Sequence, residues 1–253
     1  MDAKKRFSSR VDNYIKYRPG YPVDVLKTLQ AECGLTPAST IADVGSGTGL
    51  LAIRFLEAGC RVIGIEPNAR MREAGEQALA GFSNFTSQEG SAEDTTLPEN
   101  SVDFVTAGQA FHWFDPAQAR KEFIRILRAP GWAVLIWNER RTISTPFLRD
   151  YEKLLETYSV DYSAVNHRNV EENPDIIPTF FDGSYKVACF ENIQQFDFEG
   201  VRGRLLSSSY APEEGHPNYE PMLTELRRIY DQHQEKGQVA FEYDTRMFYG
   251  KLK

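Results

Sequence analysis

An α/β fold, a mostly parallel sheet with helices on both faces, is predicted from three features of the chain. Short β-rich runs alternate with helical patterns through residues 40–138, each interval being long enough for a crossover helix. Three glycines at alternate positions, in "GSGTG" at 45–49, join the first of these runs to a helical pattern. Beyond residue 138 the rhythm changes to amphipathic helices and aromatic-rich strands. Strands that alternate with helices argue for a parallel sheet buried on both faces.

Each element has a local reason. The strands of the regular part are "TIADVG" at 40, "RVIGIE" at 61, "NFTSQ" at 84, "VDFVTA" at 102 and "WAVLIWN" at 132. "YPVDVLKTLQAECG" starts a helix at Pro22 and stops at Gly34, and "GLLAIRFLEAG" stops at Gly59. In "DPAQARKEFIRILRAPG", Asp115 is placed to cap a helix whose first residue is Pro116. Later, "TPFLRDYEKLLETY" and "PMLTELRRIYDQHQEKG" read as amphipathic helices, while "YKVACF", "IQQFDFEG" and "QVAFEYDTRMFYG" read as strands. These strands, near 185–198 and 238–250, complete the sheet of a single domain over 1–253. The arm 1–22, with 139–184 and 199–237, is expected to form a helical lid over a core of about 23–138.

Composition narrows the function classes. At 253 residues and 41% hydrophobic content, the chain can bury a full core. A net charge of -7 supplies no broad basic field for nucleic acid or anionic lipid. No apolar run approaches the length of a membrane span, and the start, "MDAKKRFSSRVDNY", lacks the apolar segment of a signal peptide. Three scattered cysteines suggest reduced thiols in a cytoplasmic protein, with no disulfide frame and no metal site.

The glycines point to a ligand. In an open α/β sheet, ligands bind at the carboxyl ends of the strands, at the first strand-to-helix turn. A dinucleotide turn spaces its glycines G-x-G-x-x-G, so that pyrophosphate meets a helix N-terminus. Here Gly45, Gly47 and Gly49 give G-x-G-x-G and position 50 is Leu50. That turn suits a ligand with an amino-acid moiety and a nucleoside but no pyrophosphate.

With "DVGSGTG" at 43–49, "VIGIEPNARM" at 62–71, "GSAEDTTLPENSVDFVTAGQAFHWFD" at 90–115 and "YRPGYP" at 17–22, the chain resembles the class I S-adenosylmethionine-dependent methyltransferases. The likeness is greatest to the type 11 small-molecule branch that includes trans-aconitate methyltransferase-like proteins, and it covers most of the chain. It implies a Rossmann-like fold with a mostly parallel seven-stranded sheet, S-adenosyl-L-methionine as cofactor and a small-molecule acceptor. The expected cofactor site comprises Gly45, Ser46, Gly47, Thr48 and Gly49 with Asp43, which would meet the methionine amino group or fix the turn. Glu66, 17 residues past Gly49, ends the second strand, where it can accept from both ribose hydroxyls. Pro67 and Met71 would form an adenine slot; Ala92 would offer its N–H to the ring and Glu93 would take the adenine amino group. Ser91 stands where many relatives carry an acid, which leaves open which side chain takes that group. Arg18 would hold the methionine carboxylate, with Tyr14 and Tyr17 closing over it, and Gln109 and Ala110 would add polar and backbone contacts.

Acceptor residues are expected at the strand exits and in the lid. His112 is the catalytic candidate, its alternative being a packed side chain, and Trp113 would wall the pocket. "WNERRT" brings Asn138, Arg140 and Arg141, of which one arginine would clamp the substrate; Arg204, Ser207 and Tyr210 are candidates from the lid. A carboxylate acceptor would need no base. The alternatives are a non-catalytic S-adenosylmethionine-binding protein and an NAD(P)-dependent oxidoreductase, the latter lacking the third glycine spacing of a dinucleotide turn.

Overall fold

The computed structural model describes residues 11–160, 162 and 174–253. The expectations for residues 1–10, for most of 161–173 and for the Tyr14 side chain lie outside the described residues. Helices α1 (Val11–Tyr17) and α2 (Asp24–Cys33) precede the alternating units β1 (Thr40–Val44), α3 (Ala52–Glu57), β2 (Arg61–Ile65), α4 (Ala69–Ala78) and β3 (Phe85–Gln88). Then come β4 (Val102–Gly108), a short 3-10 turn (Phe111–Trp113), α5 (Pro116–Ile126) and β5 (Leu127–Arg140). The chain ends with α6 (Pro146–Tyr158), α7 (Ile176–Phe180), β6 (Lys186–Phe196), α8 (Phe198–Leu206), α9 (Tyr219–His233) and β7 (Val239–Lys251).

The seven strands form one sheet in the order β3-β2-β1-β4-β5-β7-β6. β7 runs antiparallel to both its neighbours, and the other pairings are parallel. Strand order reverses between β1 and β4, so a crevice opens at the carboxyl ends of these two strands. The register sets Asp43 of β1 beside Thr106 of β4.

Local signals account for the boundaries. Gly34 takes a left-handed conformation and ends α2. The Asp115 side chain accepts hydrogen bonds from the Ala117 and Gln118 N–H groups, with Pro116 opening α5. Alternation along β5 sends Leu135 and Trp137 into an aromatic cluster with Phe111, Phe123 and Phe180, and Val134 and Ile136 into a cluster with Leu29 and Phe55. α7 belongs to the first of these, because Ile177, Phe180 and Phe181 are buried there. A third cluster, containing Phe147, Tyr151, Leu205, Leu226 and Phe241, holds α6, α8 and α9 over the β7 end of the sheet.

Two sequence expectations change. "YKVACF" and the first half of "IQQFDFEG" form a single strand, β6, which pairs with β7 throughout its length. The second half of "IQQFDFEG" is the start of α8, because Asp197 accepts from the Gly200 N–H at 2.8 Å and caps a helix at Phe198. Among the described residues, no helix is long and apolar enough to cross a membrane, and no group of three or more His, Cys, Asp or Glu side chains could hold a metal ion.

Candidate functional site

The turn after β1 is built from backbone. Gly45 and Ser46 donate to the Ile65 carbonyl at 2.8 and 3.1 Å, which ties the turn to the end of β2. Gly45 and Gly49 have φ of 67° and 85°, and a Cβ on them would lie 2.6 Å from Ala110 Cβ and 2.5 Å from Leu79 Cδ1. These two glycines therefore permit the turn itself and its packing. Gly47 differs: at φ 55° its missing Cβ would face only the Met71 methyl, 3.3 Å away. Its N–H donates to Glu66 Oε2 at 2.9 Å, while the Asn68 N–H donates to Oε1 at 2.8 Å. Glu66, expected to accept from ribose hydroxyls, thus also fixes the turn.

This turn forms one wall of an open cleft. Arg18, Asp43, Gly45, Ser46, Gly47 and Thr48 line it, as do Gln109, His112, Trp113, Asn138, Arg204 and Tyr210. Tyr17, Gly49, Glu66, Pro67, Met71, Ser91, Ala92, Glu93, Ala110 and Arg140 are not among the lining residues. Tyr17 packs against α8, where a Cβ on Gly203 would lie 2.0 Å from its ring. Met71 is buried beside Gly47, with Pro67 half-buried one turn away. Ser91 Oγ accepts from the Glu93 and Asp94 N–H groups at 3.3 and 3.2 Å, a local turn in place of an acid. Glu93 Oε1 accepts from the Asp115 N–H at 2.9 Å, and Ala92 is buried in the aromatic cluster.

At the carboxyl ends of β1 and β4 the polar atoms are incompletely satisfied. Asp43 is 1% exposed; Thr106 donates to its Oδ1 at 2.8 Å, and its Oδ2 is buried without a hydrogen-bond partner. Burial pushes the Asp43 carboxyl up to about 7, against the Thr106 hydrogen bond. Thr48 Oγ1 and Gln109 Oε1 are also buried without a hydrogen-bond partner. Buried polar atoms in a native fold are normally satisfied. Three unsatisfied oxygens at the carboxyl ends of β1 and β4, one of them on the Asp43 carboxyl, fit a cationic group such as the ammonium of S-adenosylmethionine.

The opposite wall is made of side chains. Asn138 donates to the Pro19 and Gly20 carbonyls at 3.4 and 3.2 Å, while its Oδ1 accepts from Thr245 at 2.5 Å and Asn192 at 3.1 Å. Asn192 donates to the same Gly20 carbonyl and Gln194 to the Tyr17 and Arg18 carbonyls, so residues 17–20 are clasped onto the sheet. Arg18 turns toward the end of α8, donating to the Ser207 carbonyl at 3.1 Å. Arg204 is 5% exposed and donates to the Tyr243 hydroxyl at 3.0 Å and to Ser208 Oγ at 3.2 Å. Among the described residues no carboxylate pairs with it. Arg140 lies behind the cleft, bound to Glu152 and to the Tyr162 hydroxyl and set over the Tyr151 ring. Arg141 bonds Asp244 and Glu191 outside the cleft. Burial holds the His112 imidazole down at about 4, so it is neutral at physiological pH. Sequence reasoning missed Tyr21, Leu51, Gly108 and Ser209 as lining residues. "YRPGYP" contained a signal for Tyr21, whose hydroxyl would lie 2.6 Å from a Cβ on Gly108.

Known proteins share this architecture. The pattern of a methyltransferase-domain family, type 11, matches residues 42–135. An uncharacterized methyltransferase of Mycobacterium tuberculosis is 37% identical over 139 residues, 55% of this chain and 54% of that protein. The alignment thus spans about half the length of this mycobacterial relative. An uncharacterized methyltransferase of Schizosaccharomyces pombe is 28% identical over 95% of this chain and 94% of its own length. A structure from Anaeromyxobacter dehalogenans, assigned provisionally as a type II methyltransferase, superposes with a TM-score of 0.70 at 20% identity, covering 93% of this chain and 98% of that one. Residues 42–135 therefore match a methyltransferase domain, and the described chain shares the fold of the Anaeromyxobacter structure.

Proposed function

We propose that the whole chain transfers a methyl group from S-adenosylmethionine to a small acid, whose anionic group is held at the Arg204 end of the cleft. The observation that carries this reading is the buried Arg204 charge, which faces the cleft with only neutral hydroxyl partners. A buried cation without a counter-charge is expensive unless a ligand supplies one. The net charge of -7 favours a small molecule over nucleic acid, and three free cysteines favour a reducing, cytoplasmic setting.

In this reading the chain's own residues bind, orient and exclude water. Asp43 accepts from the cofactor's ammonium through Oδ2, and Arg18 meets its carboxylate. The Glu66 oxygens, already engaged with backbone N–H groups, have further lone pairs for the ribose hydroxyls. Pro67 and Met71 flank the adenine, and the Ala92 N–H and Glu93 face its polar edge. Gly45, Ser46, Gly47, Thr48 and Gly49 let the backbone approach, while Gln109 and Ala110 close the β4 side. The bound cofactor supplies an electrophilic methyl group on a positively charged sulfur. Trp113, Asn138 and Tyr210 bound the space for the acceptor, with Arg140 bracing Tyr210 from behind through Tyr162. Holding nucleophile and methyl group in line, with water excluded, is most of what the reaction requires. His112, with a conjugate acid near 4, is a weak base. This favours a carboxylate nucleophile, which has no proton to lose, and leaves His112 as a neutral wall.

The test is methyl transfer from labelled S-adenosylmethionine to a mixture of small carboxylic acids. Label in base-labile esters is expected, and it should be absent with Gly47→Val. Cofactor binding without transfer to any acid would favour the non-catalytic binding protein instead.

A further inference from the structure

The two sides of the acceptor space differ in chemistry. Arg204 on α8 and Tyr210 just beyond it form a charged, hydroxyl-rich end. Across the cleft, the turn after β4 presents Trp113, which is 45% exposed although it is one of the largest apolar side chains. Of the other two tryptophans, Trp137 is 3% exposed and Trp132 is half-buried against the Leu29 and Phe55 cluster. A single exposed apolar residue on an open surface needs no explanation. Trp113 is different because it lines the concave site, with the indole tilted against His112 at 4.9 Å, and Leu50 and Leu51 line the same cleft. Binding sites of this kind place a few polar groups at one end and apolar surface along the rest.

We infer that the acceptor is an amphipathic acid, its carboxylate bound against Arg204 and its apolar chain laid over Trp113 at the rim of the cleft. The inference rests on the methyltransferase reading and specifies the substrate class. A carboxylate on Arg204 supplies the counter-charge that the described fold does not, through a charge-assisted hydrogen bond. An alkyl or aryl chain over Trp113 removes apolar surface from water on both partners. A short polar acid would satisfy the first contact and leave the indole wet.

Calorimetric titration of the full chain, saturated with S-adenosylhomocysteine, against acetate, butyrate, hexanoate and octanoate tests this directly. Affinity should climb about two- to fourfold per added methylene. Octanamide, of the same length but uncharged, should bind at least about tenfold more weakly than octanoate. In Trp113→Ala the climb should flatten to less than half its logarithmic slope, with S-adenosylhomocysteine affinity held within about twofold. Arg204→Lys should weaken octanoate and leave octanamide unchanged; if that variant does not fold, the octanoate and octanamide comparison reads the charge by itself. A flat series in the wild type, an equal slope in Trp113→Ala, or octanamide binding as tightly as octanoate would each overturn the inference. S-adenosylhomocysteine bound with a flat series removes this inference alone. Failure of S-adenosylhomocysteine itself to bind removes the methyltransferase reading, and this inference with it.

Discussion

The two walls of the cleft are built on different principles. The β1–β4 wall is made of backbone: a turn of left-handed glycines, the Ile65 carbonyl, and Glu66 bound to two N–H groups. The α8–β7 wall is made of side chains drawn from distant segments, with Arg204 on Tyr243, Arg18 on the Ser207 carbonyl and Asn138 on the arm carbonyls. A backbone site accepts little change, because φ and close packing over-determine it. A side-chain site can be rebuilt by substitution while the sheet beneath it stays intact. The difference explains how one fold can keep a cofactor while its acceptor varies.

The comparison can be broken most sharply at Gly47. Valine there would sit at φ 55° with its Cβ 3.3 Å from Met71, so the turn and the adenine side are disturbed together. We expect S-adenosylhomocysteine binding to fall below detection by calorimetry while circular dichroism still reports a folded chain. Next in size is Arg204→Met on the other wall. Removing a cation that no described carboxylate matches lifts a desolvation penalty but strands the Tyr243 and Ser208 hydroxyls. Stability by urea denaturation should stay within about 1 kcal/mol, whereas kcat/KM for an acid acceptor should drop by about 100-fold. Cofactor affinity should not change.

Glu66→Ala comes third. It removes the acceptor of the Gly47 and Asn68 N–H groups as well as the acceptor proposed for the ribose hydroxyls, so S-adenosylhomocysteine affinity should fall by about 10- to 100-fold. Because the turn loosens too, an analogue lacking the ribose hydroxyls should also lose affinity, though less. Equal losses for both ligands would assign Glu66 to the turn alone.

A pH effect at Asp43 is smaller. Its folded pKa, about 7, lies above the ordinary carboxylate value because of burial, so its contribution to stability is fully present below about pH 4 and is lost as pH rises through about 7. Asp43→Asn should therefore flatten the stability profile over that interval. Cofactor binding has the opposite sign: the ligand's ammonium needs the ionised carboxylate, so affinity should rise between pH 6 and 8 in the wild type and stay flat in Asp43→Asn. Calorimetry in two buffers of different ionisation enthalpy would detect the accompanying proton release. Least affected should be His112→Gln, with turnover of a carboxylate acceptor within about threefold of the wild type, since a neutral wall is replaced by another polar one.

The legibility of the sequence divides along the same line. The glycine spacing, the strand-end acid and the alternating strands are short-range signals, and they mark the β1–β4 wall residue by residue. Even there, the role of Gly45 and Gly49 in packing against Ala110 and Leu79 was invisible, because those partners are set by the fold. The other wall depends on pairs far apart in sequence. Nothing local in "WNERRT" says that Asn138 clasps Pro19 and Gly20, or that Arg140 and Arg141 point to different partners. The same holds for Tyr17, which pattern alone could place over the cofactor but which the close approach of Gly203 seats against α8. The misjudged strand at "IQQFDFEG" has a simpler cause: the alternation of Phe196 and Phe198 masked Asp197, a good N-cap residue with the helix just behind it.

The assignment at stake is that the backbone wall carries most of the cofactor binding, with Arg18 the contribution of the other wall, and that Arg204 serves the acceptor. Titration of S-adenosylhomocysteine into three folded forms, the wild type, Gly47→Val and Arg204→Met, tests it most directly, with NAD as a competitor. The account predicts saturable one-to-one binding to the wild type and to Arg204→Met with the same affinity, no binding to Gly47→Val, and no displacement by NAD. Unchanged binding to Gly47→Val, or loss of binding in Arg204→Met alone, would contradict it.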